Sequence, residues 1–405
     1  MTSLKHSLAS MLVCAVALAE DWPQWRGPNR DGISPETGLL QKWPDGGPPL
    51  AWKTEGLGAG YSSVAIAGGR VYTQGQRGEA QYLIALDSAT GKKLWEVANG
   101  TGFRERRGDG PRSVPTVDGE TVYALAADGS LVAADARSGK KIWNVNIVET
   151  YKGAVPNWGI SESPLIDGEH VIVSPGGGGA AVVALDKRTG RLVWKSQDDG
   201  AAYSSPVLAQ VGNTRTILAF SDRGALGLRA DNGQLLWRYD KVANQTANIA
   251  TPIFARDHAF YSSDYGTGCA LLRLRAEGGL VKASEVYFTR EMKNHYSSSV
   301  LVGEYLYGFS SSILTAMKFL TGEVGWRDRS VGKGSVAYAE GHLYVLGENG
   351  AVALVEATPA AYKEKSRFSF AKSDKPTWAP PVISGGKLYI RDEGTLYCYS
   401  IKAGR

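Results

Sequence analysis

Five segments of this chain repeat one pattern, and the repeat restricts the fold more than any other feature. They are residues 85–95 (ALDSATGKKLW), 133–143 (AADARSGKKIW), 184–194 (ALDKRTGRLVW), 228–237 (LRADNGQLLW) and 317–326 (MKFLTGEVGW). Each reads as an alternating strand, a tight turn and a second strand ending in Trp. The Asp can hydrogen-bond the turn backbone, and the Gly supplies a positive φ. Trp52 fits the second strand alone. From Trp52, the steps to Trp95, Trp143, Trp194, Trp237 and Trp326 are 43, 48, 51, 43 and 89 residues. The last step is two periods. A degenerate copy therefore lies at 272–279 (LRLRAEGG), followed by a strand near Val286. Another is 353–359 (ALVEATP), followed by a strand near Phe368.

Two more strands precede each turn, joined by hairpins such as those at Gly68-Gly69, Asp118-Gly119 and Gly385-Gly386. Each unit is then a four-stranded antiparallel sheet of about 48 residues, and eight such units fill the chain. The predicted fold is all-β: an eight-bladed β-propeller. The chain ends after a third strand near Leu396, while the Trp52 strand has no blade before it. The last blade is therefore predicted to be closed by that N-terminal strand, which removes exposed sheet edges. Residues 20–405 read as one domain, with an N-terminal extension at 20–50 and the blades at 51–405. The 50 Gly and 17 Pro, without a G-X-Y period, exclude a collagen-like chain and fit the reversals of a propeller.

The first 19 residues read as a cleaved export signal. Lys5 and His6 precede an apolar run at 8–19, and Ala17-Leu18-Ala19 supplies small residues before Glu20. The run is too short to span a bilayer. A periplasmic or secreted protein without a transmembrane segment is expected, as a monomer. Cys269 and Cys398 then remain, both in apolar strand-like runs that suit buried thiols. A net charge of +5 over 405 residues does not suggest a nucleic-acid partner.

The Ala-x-Asp-x-x-Thr-Gly-x-x-x-Trp pattern resembles the pyrroloquinoline-quinone (PQQ) type propeller repeat of quinoprotein alcohol dehydrogenases and of the propeller component of outer-membrane assembly. The opening at 22–32 (WPQWRGPNRDG) is similar to the start of exported PQQ-like propellers. The resemblance covers nearly the whole chain after the signal. It implies two functions: a non-catalytic scaffold binding an envelope protein or glycan without a cofactor, or a PQQ- and Ca²⁺-dependent alcohol or sugar oxidoreductase. The dehydrogenases carry a Cys-Cys pair, and many a Cys-x-x-Cys-His haem site. Neither occurs here, so no catalytic role is carried over and the scaffold is the leading expectation.

The approaches to the first strands align as triplets beginning at Tyr61, Arg112, Ser161, Tyr203, Ile249, Tyr296, Lys333 and Trp378. Six of the eight third members, from Ser63 to Ser335, carry hydroxyls, which read as partners for strand-end backbone groups. Departures from the pattern single out Arg112, Trp158, Glu162, Asn248, His295, Lys333 and Trp378. If these converge at one channel mouth, Trp158 and Trp378 offer stacking faces. Arg112 and Lys333 would hold an anionic group, and Glu162 or His295 could move protons. A small anionic or aromatic ligand is expected there. The repeating Trp52, Trp95, Trp143, Trp194, Trp237 and Trp326 read as structural. The basic loop at 103–112 reads as solvated, and the His residues show no zinc-ligand spacing, so no metal is assigned.

Overall fold

The computed structural model describes residues 21–404; the expected signal peptide lies outside them. Eight antiparallel sheets follow one another at 65–101, 116–146, 165–196, 207–239, 253–289, 300–328, 334–369 and 382–400. The eighth is completed by Leu50–Thr54, which pairs antiparallel with Thr395–Ser400 and places Trp52 opposite Cys398. The ring is thus closed as predicted. The seventh blade carries an extra two-residue strand, Ile33–Ser34, parallel to its innermost strand.

The repeated Gly and Trp are two halves of one contact. Gly91 has φ +73°, and a Cβ there would lie 2.5 Å from the Trp52 ring of the preceding blade. The same relation holds for Gly233 and Trp194, again at 2.5 Å. Only glycine meets both the backbone and the steric requirement. Trp52, Trp143, Trp194 and Trp326 each donate their indole N–H to a carbonyl of the next blade. In the outer strand pair of every blade the register slips beside this position. A bulge of this kind turns the indole inward. It leaves the preceding residue outside, so Leu94, Ile142 and Val193 are 46–53% exposed.

The two degenerate copies have separate causes. In the fifth blade Tyr287 occupies the indole position opposite Leu271, and its hydroxyl donates to Phe319 O at 2.9 Å. In the seventh blade Ser366 stands there, opposite Leu354, and its hydroxyl accepts from Trp43 N at 3.0 Å. The eighth blade has no Asp-Thr-Gly turn for an indole to cover, because its outer pair is formed by the two chain ends. Trp43, from the extension, is buried beside that junction against Phe368 and Tyr344. Cys269 and Cys398 are buried free thiols.

Candidate functional site

The two ends of the central channel are built differently. At one end the extension crosses beneath the blades. Trp22 pairs with Ile66 of the first blade, and Pro23 O accepts from Val117 N of the second. Arg26 donates to Ser299 O at 2.6 Å, and Arg30 to Ser163 O at 2.8 Å and Pro164 O at 3.0 Å. Gly32 O then accepts from Tyr338 N of the seventh blade, and Leu40 N donates to Ile401 O of the eighth. Both guanidiniums are buried. Desolvation lowers Arg26 to about 10 and Arg30 to about 9, partly offset by Asp31 and Glu162. Both stay charged near neutrality. They donate to carbonyls where the inner strands crowd together and a regular ladder cannot form.

The hydroxyl triplets make a belt above this plug. Seven of them stand just before the first strands; in the seventh blade the strand Gly334–Ala339 already includes Ser335. There the inner strand ends of neighbouring blades approach, and side chains replace the backbone ladder. Ser163 Oγ accepts from Val114 N, Ser205 Oγ from Ser163 N, and Ser298 Oγ from Thr251 N, each at 2.9 Å. Thr251 Oγ1 accepts the indole N–H of Trp25 at 2.8 Å. The third-level hydroxyls therefore join blade to blade and hold the plug's Trp25.

At the other end lies a cup with a cavity of about 120 Å³. Trp25 is its floor, reached from the plug side. Tyr61, Arg112, Ser161, Tyr203, Ile249, Tyr296 and Trp378 line its wall, so seven of the eight first triplet members meet at one cavity. One wall is a continuous aromatic run. Tyr61 and Trp378 have centroids 4.9 Å apart, Trp378 and Tyr296 5.8 Å, His295 and Tyr265 5.2 Å. Trp158 packs on Tyr203 at 5.5 Å. Such tilted pairs leave faces and edges for a ring to pack against. Arg112 lies over Tyr61 and Phe103 and donates to the carbonyls of Gly108 and Gly110, so it fastens the basic loop over the mouth. Tyr61 hydroxyl donates to Arg107 O at 2.5 Å. Arg107 itself lines the cup.

Beside the cup, sharing Arg107 and Trp378, runs an open groove of about 380 Å³ lined by Arg106, Lys333, Glu348, Lys375 and Pro376. Lys333 Nζ stands 5.7 Å from the Tyr296 ring centre. Glu348 accepts the Trp378 indole N–H at 3.0 Å.

The structure therefore places Arg112, Trp158, His295 and Trp378 around one cavity, with Lys333 at its rim. Glu162 and Asn248 are elsewhere. Asn248 is buried and serves backbone, donating to Ser221 O and accepting from Asn244 N. Glu162 is buried and accepts from Ser174 N, while its second oxygen has no hydrogen-bond partner. As second triplet members alternate away from the first, Glu162 faces inward between blades. Tyr61, Tyr203 and Tyr296 escaped selection because they conform to the repeat. Trp25 lay outside the Trp register, and Arg107 lay in the loop read as solvated. The one signal for the three tyrosines was their shared place as first members of the triplets, whereas Trp25 and Arg107 lie outside the triplets.

Burial sets the protonation states. Desolvation, aided by Lys333, lowers His295 to about 4, so the imidazole is neutral at neutral pH, and its Nδ1 has no partner. Burial pushes the Tyr296 hydroxyl well above the usual phenol range, and its oxygen is also unpartnered. Glu162 is raised from 4.5 to about 7 by desolvation, against its bonds to Ser174 and the charge of Arg30. Between those values the folded protein holds a proton that the unfolded chain releases. Glu162 by itself should therefore make stability fall as pH rises from about 4.5 to about 7, while His295, lowered from 6.5 to about 4, acts in the opposite sense over the overlapping range. Glu162→Gln should remove the falling contribution, so that the thermal midpoint rises more with pH across that range than in the wild type. An identical curve for the variant would show that this carboxyl does not titrate there.

Comparison with known proteins agrees with this architecture. Outer membrane protein assembly factor BamB of Yersinia pestis is 24% identical over 331 residues, covering 77% of this chain and 79% of that protein. Quinohemoprotein alcohol dehydrogenase ADH IIB of Pseudomonas putida is 31% identical over 144 residues, but this spans only 33% of the chain and 20% of that enzyme. The crystal structure of BamB from Moraxella catarrhalis superposes with a TM-score of 0.62 at 15% identity, over 87% of this chain and 99% of that one, a likeness of fold. The family model described as outer membrane protein assembly factor BamB matches residues 33–156 and 79–328, and the chain thus belongs to this PQQ_2 family of PQQ-like β-propellers.

Proposed function

We propose that this protein is a non-catalytic binding or assembly propeller of the cell envelope, acting in the periplasm or outside the cell, and that it engages its partner at the channel mouth. One observation carries the reading. The cup is a blind recess: its far end is stopped by Trp25, Arg26 and Arg30, its wall is aromatic, and its rim is cationic. A blind recess of this kind suits an inserted group more than flow through the channel. The likeness to assembly factors over three quarters of the chain supports the same reading. Photo-crosslinking tests it. A benzophenone amino acid at Tyr265, an exposed residue of the cup, should form a discrete adduct in envelope preparations from the source organism. The same group at Ile142, on the outer rim, should not. Equal labelling from both positions would remove the mouth as the binding face.

The aromatic faces of Trp158 and Trp378 and the Arg112 guanidinium favour a second reading, a quinone-dependent oxidoreductase. The donor set fits poorly. The cup lining has no carboxylate or carboxamide side chain to ligate calcium beside a quinone, and no grouped metal-binding side chains occur among the described residues. Adding PQQ and Ca²⁺ and following dye reduction over an alcohol panel separates the two readings; turnover would reinstate the enzyme.

A further inference from the structure

Three features of the mouth are not used by the propeller itself. The first is an opening large enough for a ring, walled by Trp158, Trp378 and Tyr296. The second is a pair of polar atoms in that wall, Tyr296 Oη and His295 Nδ1, with no hydrogen-bond partner. Buried groups of this kind cost stability unless a partner arrives. The third is the shape and charge of the space beside the cup. The groove leaves the cup laterally at Arg107 and Trp378 and carries four cationic side chains against one carboxylate. That carboxylate, Glu348, is engaged by the Trp378 indole. An occupant of both spaces has a ring at one point and negative charge strung out to the side. A neutral sugar would leave the four cations of the groove without counter-charge, so an acidic occupant fits the two spaces better. The surrounding cations disfavour a quaternary ammonium, the usual guest of aromatic cages.

We infer that the mouth receives a short acidic peptide segment of a partner protein, with an aromatic side chain seated between Trp158 and Trp378 and carboxylates lying along Arg107, Lys333 and Lys375. This rests on the binding-platform reading and names the chemistry of its partner. The ring supplies a buried anchor, and the cations align the chain through charge complementarity. Lys333 spans both parts, because its ammonium faces Tyr296 while lining the groove.

Isothermal titration tests this with an acetylated, amidated pentapeptide whose central phenylalanine is flanked by acidic residues. The full chain after its signal should bind it. Replacing the phenylalanine with alanine, or the acids with their amides, should each weaken binding by about tenfold or more. Trp378→Ala should lose the aromatic dependence, and Arg107→Glu with Lys333→Glu should lose the acid dependence. Binding should also weaken with added salt, since the groove is open to solvent. Arg107 is exposed and Lys333 only half-buried, so the charge-reversed protein should keep the wild-type melting midpoint even if Trp378→Ala does not. Wild-type affinity in the charge-reversed protein would overturn the inference. So would phenylacetate binding as tightly as the peptide, which would make a small aromatic acid the occupant. Absence of peptide binding with the Tyr265 crosslink intact overturns the peptide chemistry and leaves the platform standing. Peptide binding without the crosslink supports the chemistry and counts against an envelope partner.

Discussion

Arg30→Ala is expected to destabilise the propeller by about 3 kcal/mol, lowering its thermal midpoint by several degrees. The guanidinium is buried and serves the carbonyls of Ser163 and Pro164 and the side chain of Gln24. It is also the cation that favours ionised Glu162. Removing it leaves carbonyls without donors and a buried carboxyl without its counter-charge. Arg30→Lys should recover little, since one ammonium cannot reproduce the two-nitrogen fork. Adding Glu162→Gln to Arg30→Ala should restore part of the loss above about pH 7, where the acid, raised further without its cation, must otherwise hold a proton against the solvent. An unchanged midpoint in Arg30→Ala would mean that the plug is held by Trp22 and the backbone pairings alone.

Trp52→Ala is expected to have the second large effect, about 3–5 kcal/mol. The indole is nearly buried, donates to Ser88 O at 3.2 Å, covers Gly91 and meets the Tyr389 ring edge-on at 5.9 Å. Trp194 makes the same kind of contact with Gly233 inside a blade of continuous chain. Trp52 instead sits on the strand that closes the ring without a covalent link to the blade it completes. Loosening it frees a sheet edge as well as a packing contact. Trp52→Ala should therefore lower the midpoint more than Trp194→Ala and admit protease near 50–60. Equal midpoints and equal protection would show that closure depends on the backbone ladder instead.

Much of the fold was legible because the propeller repeats its own constraint. The Asp-Gly turn and the Trp that covers it recur in one register, so period, strand count and closure followed from spacing. Even the degenerate copies obeyed it: Tyr287 keeps the indole's place, and Ser366 stands where no turn needs covering. The mouth was legible in part. Arg112, Trp158, His295 and Trp378 were found as departures from the repeat, and they do share a cavity. Glu162 and Asn248 were equally irregular but face between blades, because a change of residue type does not reveal the direction of a side chain.

The residues by themselves determined the ring, since each local element requires the next blade to complete it. They revealed one end, the mouth, only in part, and the plug at the other end not at all. The 22–32 segment carries no strand period, and its partners on the blades are more than 100 residues away in sequence for Arg30 and more than 200 for Trp25 and Arg26. Only closure of the ring brings those carbonyls and Thr251 to one axis, where buried charge can be compensated. The same convergence turns Tyr61, Tyr203 and Tyr296 from ordinary members of a repeat into the wall of one cup. A repeat specifies contacts between neighbours, whereas a site on the symmetry axis exists only once all the neighbours are in place.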